Sequence, residues 1–121
     1  MEVSRERFEG MVADVLDAIP ESLGESMDNV AVVVEDWPTP DQLGGRLGTL
    51  LGLYQGIALT RRSPLSYGGA VPDRITIFRG PICGLAHSED DLARLVRTTV
   101  LHEVAHHFGI SDKRLHELGW A

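Results

Sequence analysis

The stretch TTVLHEVAHHFGISDKRLHELGW, residues 98–120, holds four of the five histidines in this chain of 121 residues. Its apolar residues recur at spacings of three and four, which predicts an amphipathic helix. Ser88 is the expected N-cap, with Asp91 three residues later, and Gly109 is the expected left-handed stop. A Ser-Asp pair at 111–112 and Gly119 then predict a second, short helix of about two turns.

Two of these histidines lie on one face of the predicted helix. His102 and His106 are four residues apart, so their rings sit one above the other and can hold one metal ion. Glu103 is rotated about 100° from His102, where it can reach a water held on that ion. This is the H-E-x-x-H arrangement of zinc hydrolases, although two ordinary helix histidines without a metal would give the same letters.

A catalytic zinc ion needs a third protein ligand besides a water molecule. Gly109 allows the chain to turn back sharply, and the next suitable donor is Asp112, six residues after His106. His116, one turn further on, is the alternative ligand or an outer partner of the ion. His107 points about 100° away from His106, and we expect it at the exposed end of the helix.

The residues upstream predict further helices and strands. An amphipathic helix is expected over residues 4–19, with Ser4 as its N-cap and Pro20 after it. β-branched or alternating runs predict strands at 29–36, 49–59 and 73–82. Gly52 and Gly56 in the second run indicate a bulge or a close backbone approach. Residues 37–45 and 60–72 are expected to be loops.

Composition sets limits on the function. The net charge of −7 argues against a nucleic-acid-binding protein, because phosphate binding relies on clustered Lys and Arg. The single cysteine, Cys83, excludes an internal disulfide, and no segment is apolar enough to predict a signal peptide or a membrane span. We therefore expect one domain, residues 1–121, in the cytoplasm and without a membrane partner.

Over residues 102–112 the pattern H-E-x-x-H-x-x-G-x-x-D resembles the metzincin signature, with Asp112 in place of the third histidine. Together with LGLYQGIALTRRS and PDRITIFRGPI, it resembles a family of small bacterial zincin-like proteins. The resemblance implies an α+β, zincin-like fold. In it, a small mixed sheet of three to four strands packs against an N-terminal helix and the active-site helix. The methionines of this sequence, Met1, Met11 and Met27, all precede the motif, so we expect no methionine turn of the metzincin type.

These observations predict a zinc-dependent peptidase acting on a peptide or protein. Metal-held water would attack the peptide bond, with Glu103 as general base. Candidate donors to the oxyanion are Tyr67, Arg61 and His87. Because a carboxylate ligand neutralises more metal charge than an imidazole, Asp112 predicts slow or narrowly specific turnover. The alternative is a metal-binding module, structural or regulatory, without efficient catalysis. A metal-dependent nuclease is disfavoured by the charge.

The run at 49–56 has a further possible role. An exposed edge of this strand could pair with an extended peptide substrate, although an ordinary core strand would show the same apolar pattern.

Overall fold

A computed structural model describes residues 1–19, 30–56 and 73–117, the side chains of Asp112 and Leu115 excepted. Its helices and strands follow one another along the chain in this order: α1 (Arg5–Asp17), β1 (Val30–Glu35), α2 (Pro40–Leu43), β2 (Gly52–Gln55), β3 (Asp73–Phe78), α3 (Arg79–Leu85), α4 (Glu89–Phe108) and α5 (Asp112–Glu117).

The strands form one mixed sheet. Among the described residues it has three strands in the order β1-β3-β2, with β1 parallel and β2 antiparallel to the central β3. Helix α4 packs on β2 and β3, and α1 packs on α4. The α+β class and the small mixed sheet are thus confirmed.

The two long helices begin and end where local sequence predicts. The Ser4 hydroxyl accepts a hydrogen bond from the Arg7 amide at the start of α1. The Ser88 hydroxyl accepts one from the Asp91 amide at the start of α4. Gly109 ends α4 in the left-handed conformation, with φ 71°. Capping by short polar side chains and by glycine is a property of neighbouring residues, and sequence alone therefore suffices to predict it.

The core lies between α4, α1 and the central strand. Ile75 and Ile77 of β3 are fully buried, and they are joined by Phe8 of α1 and by Val96, Val100 and Val104 of α4. Burying each of these side chains contributes about 1.5–3 kcal/mol. This packing fixes α4, the helix that bears the histidines, against the sheet.

Two predictions about regular structure are wrong. Residues 37–45 are not all loop, because Thr39 and Gln42 form a capping box for the single helical turn α2. The strand expected over 73–82 ends at Phe78, and α3 begins at the next residue. Pro81 is compatible with α3 because it falls in the first helical turn, where no intrahelical partner for its nitrogen is needed.

None of the described helices is long and apolar enough to cross a membrane.

Candidate metal site and its cleft

The candidate site lies on α4, facing a cleft of about 530 Å³. One wall is α4, which contributes Thr98, Thr99, His102, Glu103 and His106; the other is β2 with the segment before it, which contributes Arg46 and residues 50–54. Three glycines of that segment, Gly44, Gly45 and Gly48, have positive φ angles of 58°, 83° and 92°. The cleft thus lies between the predicted metal-binding face of α4 and β2, which is an edge strand among the described residues.

The two histidine rings are close enough to share an ion. Their centroids lie 4.5 Å apart, as expected for residues one helical turn apart. One donor atom each from His102, Glu103 and His106 lie within 4.8 Å of one another. Two imidazoles and a carboxylate are a donor set that zinc accepts, so the residues present fit a divalent ion of this kind.

Glu103 is the most enclosed member of this group. Its side chain is 7% exposed, whereas the His106 side chain is 42% exposed. Burial raises the pKa of Glu103, and the nearby imidazoles and hydrogen bonds from His106 and the Tyr54 backbone oppose that rise. The raised pKa brings this carboxyl group closer to the range in which a general base works near neutrality.

The hydrogen bond between Glu103 and His106 also bears on metal binding. Nδ1 of His106 lies 2.9 Å from Oε1 of Glu103. A proton on Nδ1 would be donated to that oxygen, leaving the lone pair of Nε2 for a metal ion.

The absence of a side chain at Gly52 makes room for Glu103. A Cβ added to Gly52 would lie 2.9 Å from Cγ2 of Thr99 and 3.0 Å from Cγ of Glu103. A close backbone approach was one of two expectations for this glycine, and it explains how β2 comes so near α4.

A second polar cluster is buried beside the first and was missed by sequence reasoning. His107 is 1% exposed, so the prediction of an exposed ring is wrong. Its Nδ1 lies 2.9 Å from Oδ2 of Asp73, and the hydroxyl of Tyr54 donates to the same oxygen at 2.6 Å. A signal was present, because His107 follows Glu103 by four residues and must share its face of the helix.

The other predicted site residues have different outcomes. The left-handed turn at Gly109 is present, and α5 begins at Asp112, but the Asp112 side chain lies outside the described part of the chain. His116 on α5 is exposed, and the group of described side chains able to hold a metal does not include it. Their roles stay predictions.

Of the candidate oxyanion donors, Tyr67 and Arg61 lie outside the described residues. His87 precedes α4, and its amide donates to Asp91. At a rise of 1.5 Å per residue, it lies roughly 20 Å along the helix from His102, so its prediction as a donor is wrong.

The fold and the site together define a class: a small α+β protein with two histidines and a glutamate on one helix beside a sheet edge. The model of the family described as zincin-like metallopeptidase matches residues 27–120. The chain belongs to this family.

Comparison with solved structures gives a conserved hypothetical protein from T. thermophilus at 25% sequence identity. The match covers 96% of this chain and 97% of that one, with a TM-score of 0.58. No curated protein matches the sequence.

Proposed function

We propose that the protein is a zinc-dependent peptidase in which Glu103 is the general base. The observation that carries this proposal is the position of Glu103. Its carboxylate is buried at the wall of an open cleft, beside two imidazoles on the same helix. Membership of the zincin-like metallopeptidase family supports the same function.

His102 and His106 would hold the ion, with Asp112 as the third ligand after the turn at Gly109. Zinc bound there would polarise the scissile carbonyl and lower the pKa of the attacking water. Glu103 would accept a proton from the attacking water and donate it to the departing amine nitrogen. Burial suits Glu103 to the first step, because a carboxylate with a raised pKa is a stronger base than a solvated one.

Among the described residues, β2 lies at the edge of the sheet, where a substrate backbone would have room to pair. The Phe78 amide donates to the Leu51 carbonyl, which makes this a hydrogen-bonded pair of the antiparallel ladder. Because such pairs alternate, the backbone amide and carbonyl of Gly52 point away from β3. An extended peptide entering the cleft can pair with this edge by strand addition, which favours a peptide or protein substrate.

One observation favours a different function, a non-catalytic metal-binding module. A carboxylate oxygen of Glu103 lies within 4.8 Å of a nitrogen atom of each imidazole, close enough for all three to bind one ion. A site in which Glu103 binds the ion would be filled by protein donors, as structural zinc sites are.

Substitution of Glu103 separates the two functions. In the peptidase, Glu103→Ala keeps one zinc per chain and lowers turnover of a peptide library by about 100-fold or more. In the module, the same variant loses zinc. Metal content is measured by elemental analysis after dialysis and turnover by mass spectrometry of cleaved peptides. Glu9→Gln, a remote exposed change on α1, is the control. Absence of turnover in the zinc-loaded wild type would refute the peptidase.

A further inference from the structure

The buried cluster of Tyr54, Asp73 and His107 joins three elements through a single oxygen atom. Asp73 begins β3, Tyr54 lies on β2, and His107 lies near the end of α4. Oδ2 of Asp73 accepts the Tyr54 hydroxyl at 2.6 Å and lies 2.9 Å from Nδ1 of His107. Asp73 and His107 are 4% and 1% exposed. The Asp73 carboxylate needs these partners, because burying an unpaired carboxylate destabilises a fold by several kcal/mol.

Tyr54 is held at both ends. Its hydroxyl binds Asp73, and its ring lies edge-on to His107, with centroids 5.8 Å apart. Its backbone and the Glu103 carboxylate line the same cleft, and a hydrogen bond from this backbone lowers the pKa of Glu103. Glu103 and His107 share the face of α4 that packs on β2, since they are four residues apart. The same tyrosine therefore contacts the candidate general base and the buried cluster.

We propose that Asp73 is a positioning residue for Glu103. Its carboxylate fixes the Tyr54 side chain and the His107 ring, and so fixes the Tyr54 amide that orients the Glu103 carboxylate. Asp73 touches neither substrate nor metal in this role; it acts through β2. The expected effect of Asp73 on catalysis rests on the proposed function. Its expected effect on the Tyr54 amide does not depend on that function.

The alternative is that the cluster only adds stability. Two kinds of variant distinguish these roles. Asp73→Asn has nearly the same shape but weakens the shared acceptor, and Tyr54→Phe removes only the hydroxyl while leaving the backbone amide. Ile82→Val and Ile82→Ala, in the fully buried core of α3, are controls chosen to match the loss of thermal stability.

The first measurement needs neither zinc nor substrate. Hydrogen exchange followed by NMR in the metal-free protein reports the Tyr54 amide directly. We expect Asp73→Asn and Tyr54→Phe to reduce its protection by roughly tenfold more than that of Phe8 and Val12 amides in α1. The Ile82 controls should lower all of these amides alike. Equal loss at Tyr54 in the Asp73 and Ile82 variants would overturn the proposal.

The second measurement is made on zinc-loaded protein, at temperatures where every variant is folded. We expect kcat to fall by about 10- to 100-fold in Asp73→Asn, with KM and zinc content unchanged, because a misplaced base slows the chemical step alone. A change in KM with kcat preserved would overturn the catalytic part. If the wild type shows no turnover, the proposed function fails, and the exchange result still decides whether Asp73 positions Glu103. If Asp73→Asn does not fold, hydrogen exchange and kinetics are both measured on Tyr54→Phe instead.

Discussion

Adding one methyl group at Gly52 tests how closely β2 and α4 are packed at the candidate site. In Gly52→Ala, the new Cβ would meet Cγ2 of Thr99 at 2.9 Å, Cγ of Glu103 at 3.0 Å and its Oε2 at 3.3 Å. Thr99 cannot give way easily, because a β-branched side chain in a helix has few rotamers. Either β2 moves off the helix or Glu103 rotates, and both changes disturb the contact between Glu103 and Tyr54.

The expected loss of stability follows from two opposing terms. Overpacking of this kind costs about 1–3 kcal/mol. The lower entropy of the unfolded chain with alanine offsets about 0.4–1 kcal/mol. We therefore expect a net loss of about 1–2 kcal/mol, which for a chain of this length lowers Tm by about 4–8 °C. Thermal and urea unfolding measure it, and kcat on a cleaved peptide should fall as well.

Gly10→Ala is the matched control. It makes the same chemical change in the middle of α1, where an added Cβ meets nothing within 4 Å. We expect it to stabilise the protein by about 0.5–1 kcal/mol and to leave turnover unchanged. The reasoning is refuted if Gly52→Ala is as stable and active as the wild type, or if the two alanine variants lose stability equally.

Two further predictions concern the ligands and the base. We expect Asp112→Ala to weaken zinc binding by more than the roughly 10–100-fold that loss of an outer partner costs, and His116→Ala to retain the metal. Zinc titration against a chelator measures both, and the reverse order would make His116 the third ligand. We also expect Glu103→Gln to stabilise the metal-free protein near pH 7 and to have little effect below pH 4.5, the ordinary pKa of the group. Because burial raises the pKa in the folded state, the ionised carboxylate destabilises the fold increasingly as pH rises from 4.5 through the raised value. Urea unfolding of both proteins between about pH 4 and pH 8 measures this, and a difference that shrinks with rising pH contradicts it.

The elements that sequence predicts well are those fixed by neighbouring residues. Caps at Ser4, Ser88 and Gly109 define the long helices, and the spacing of His102 and His106 places both rings on one helix face. These features depend on separations of three or four residues, which the helical period determines.

The features that escape sequence analysis depend on distant partners. His107 is buried because Asp73, 34 residues earlier, lies opposite it. Helix α3 was not predicted because the apolar pattern of the strand at 73–78 continues into residues 79–82. Pro81 disfavours a strand there, but it is tolerated in the first turn of a helix. Sheet order likewise follows from tertiary packing, which no local pattern specifies.

The segment before β2 has a consequence for how the specificity of the proposed peptidase would diversify. Its backbone path passes through left-handed conformations at Gly44, Gly45 and Gly48, which side chains rarely adopt. Those three positions tolerate little substitution, but Arg46 and Leu47 between them are exposed and unconstrained by the core. In the proposed peptidase, exchange of Arg46, which lines the cleft, would alter substrate preference while the residues on α4 stay unchanged.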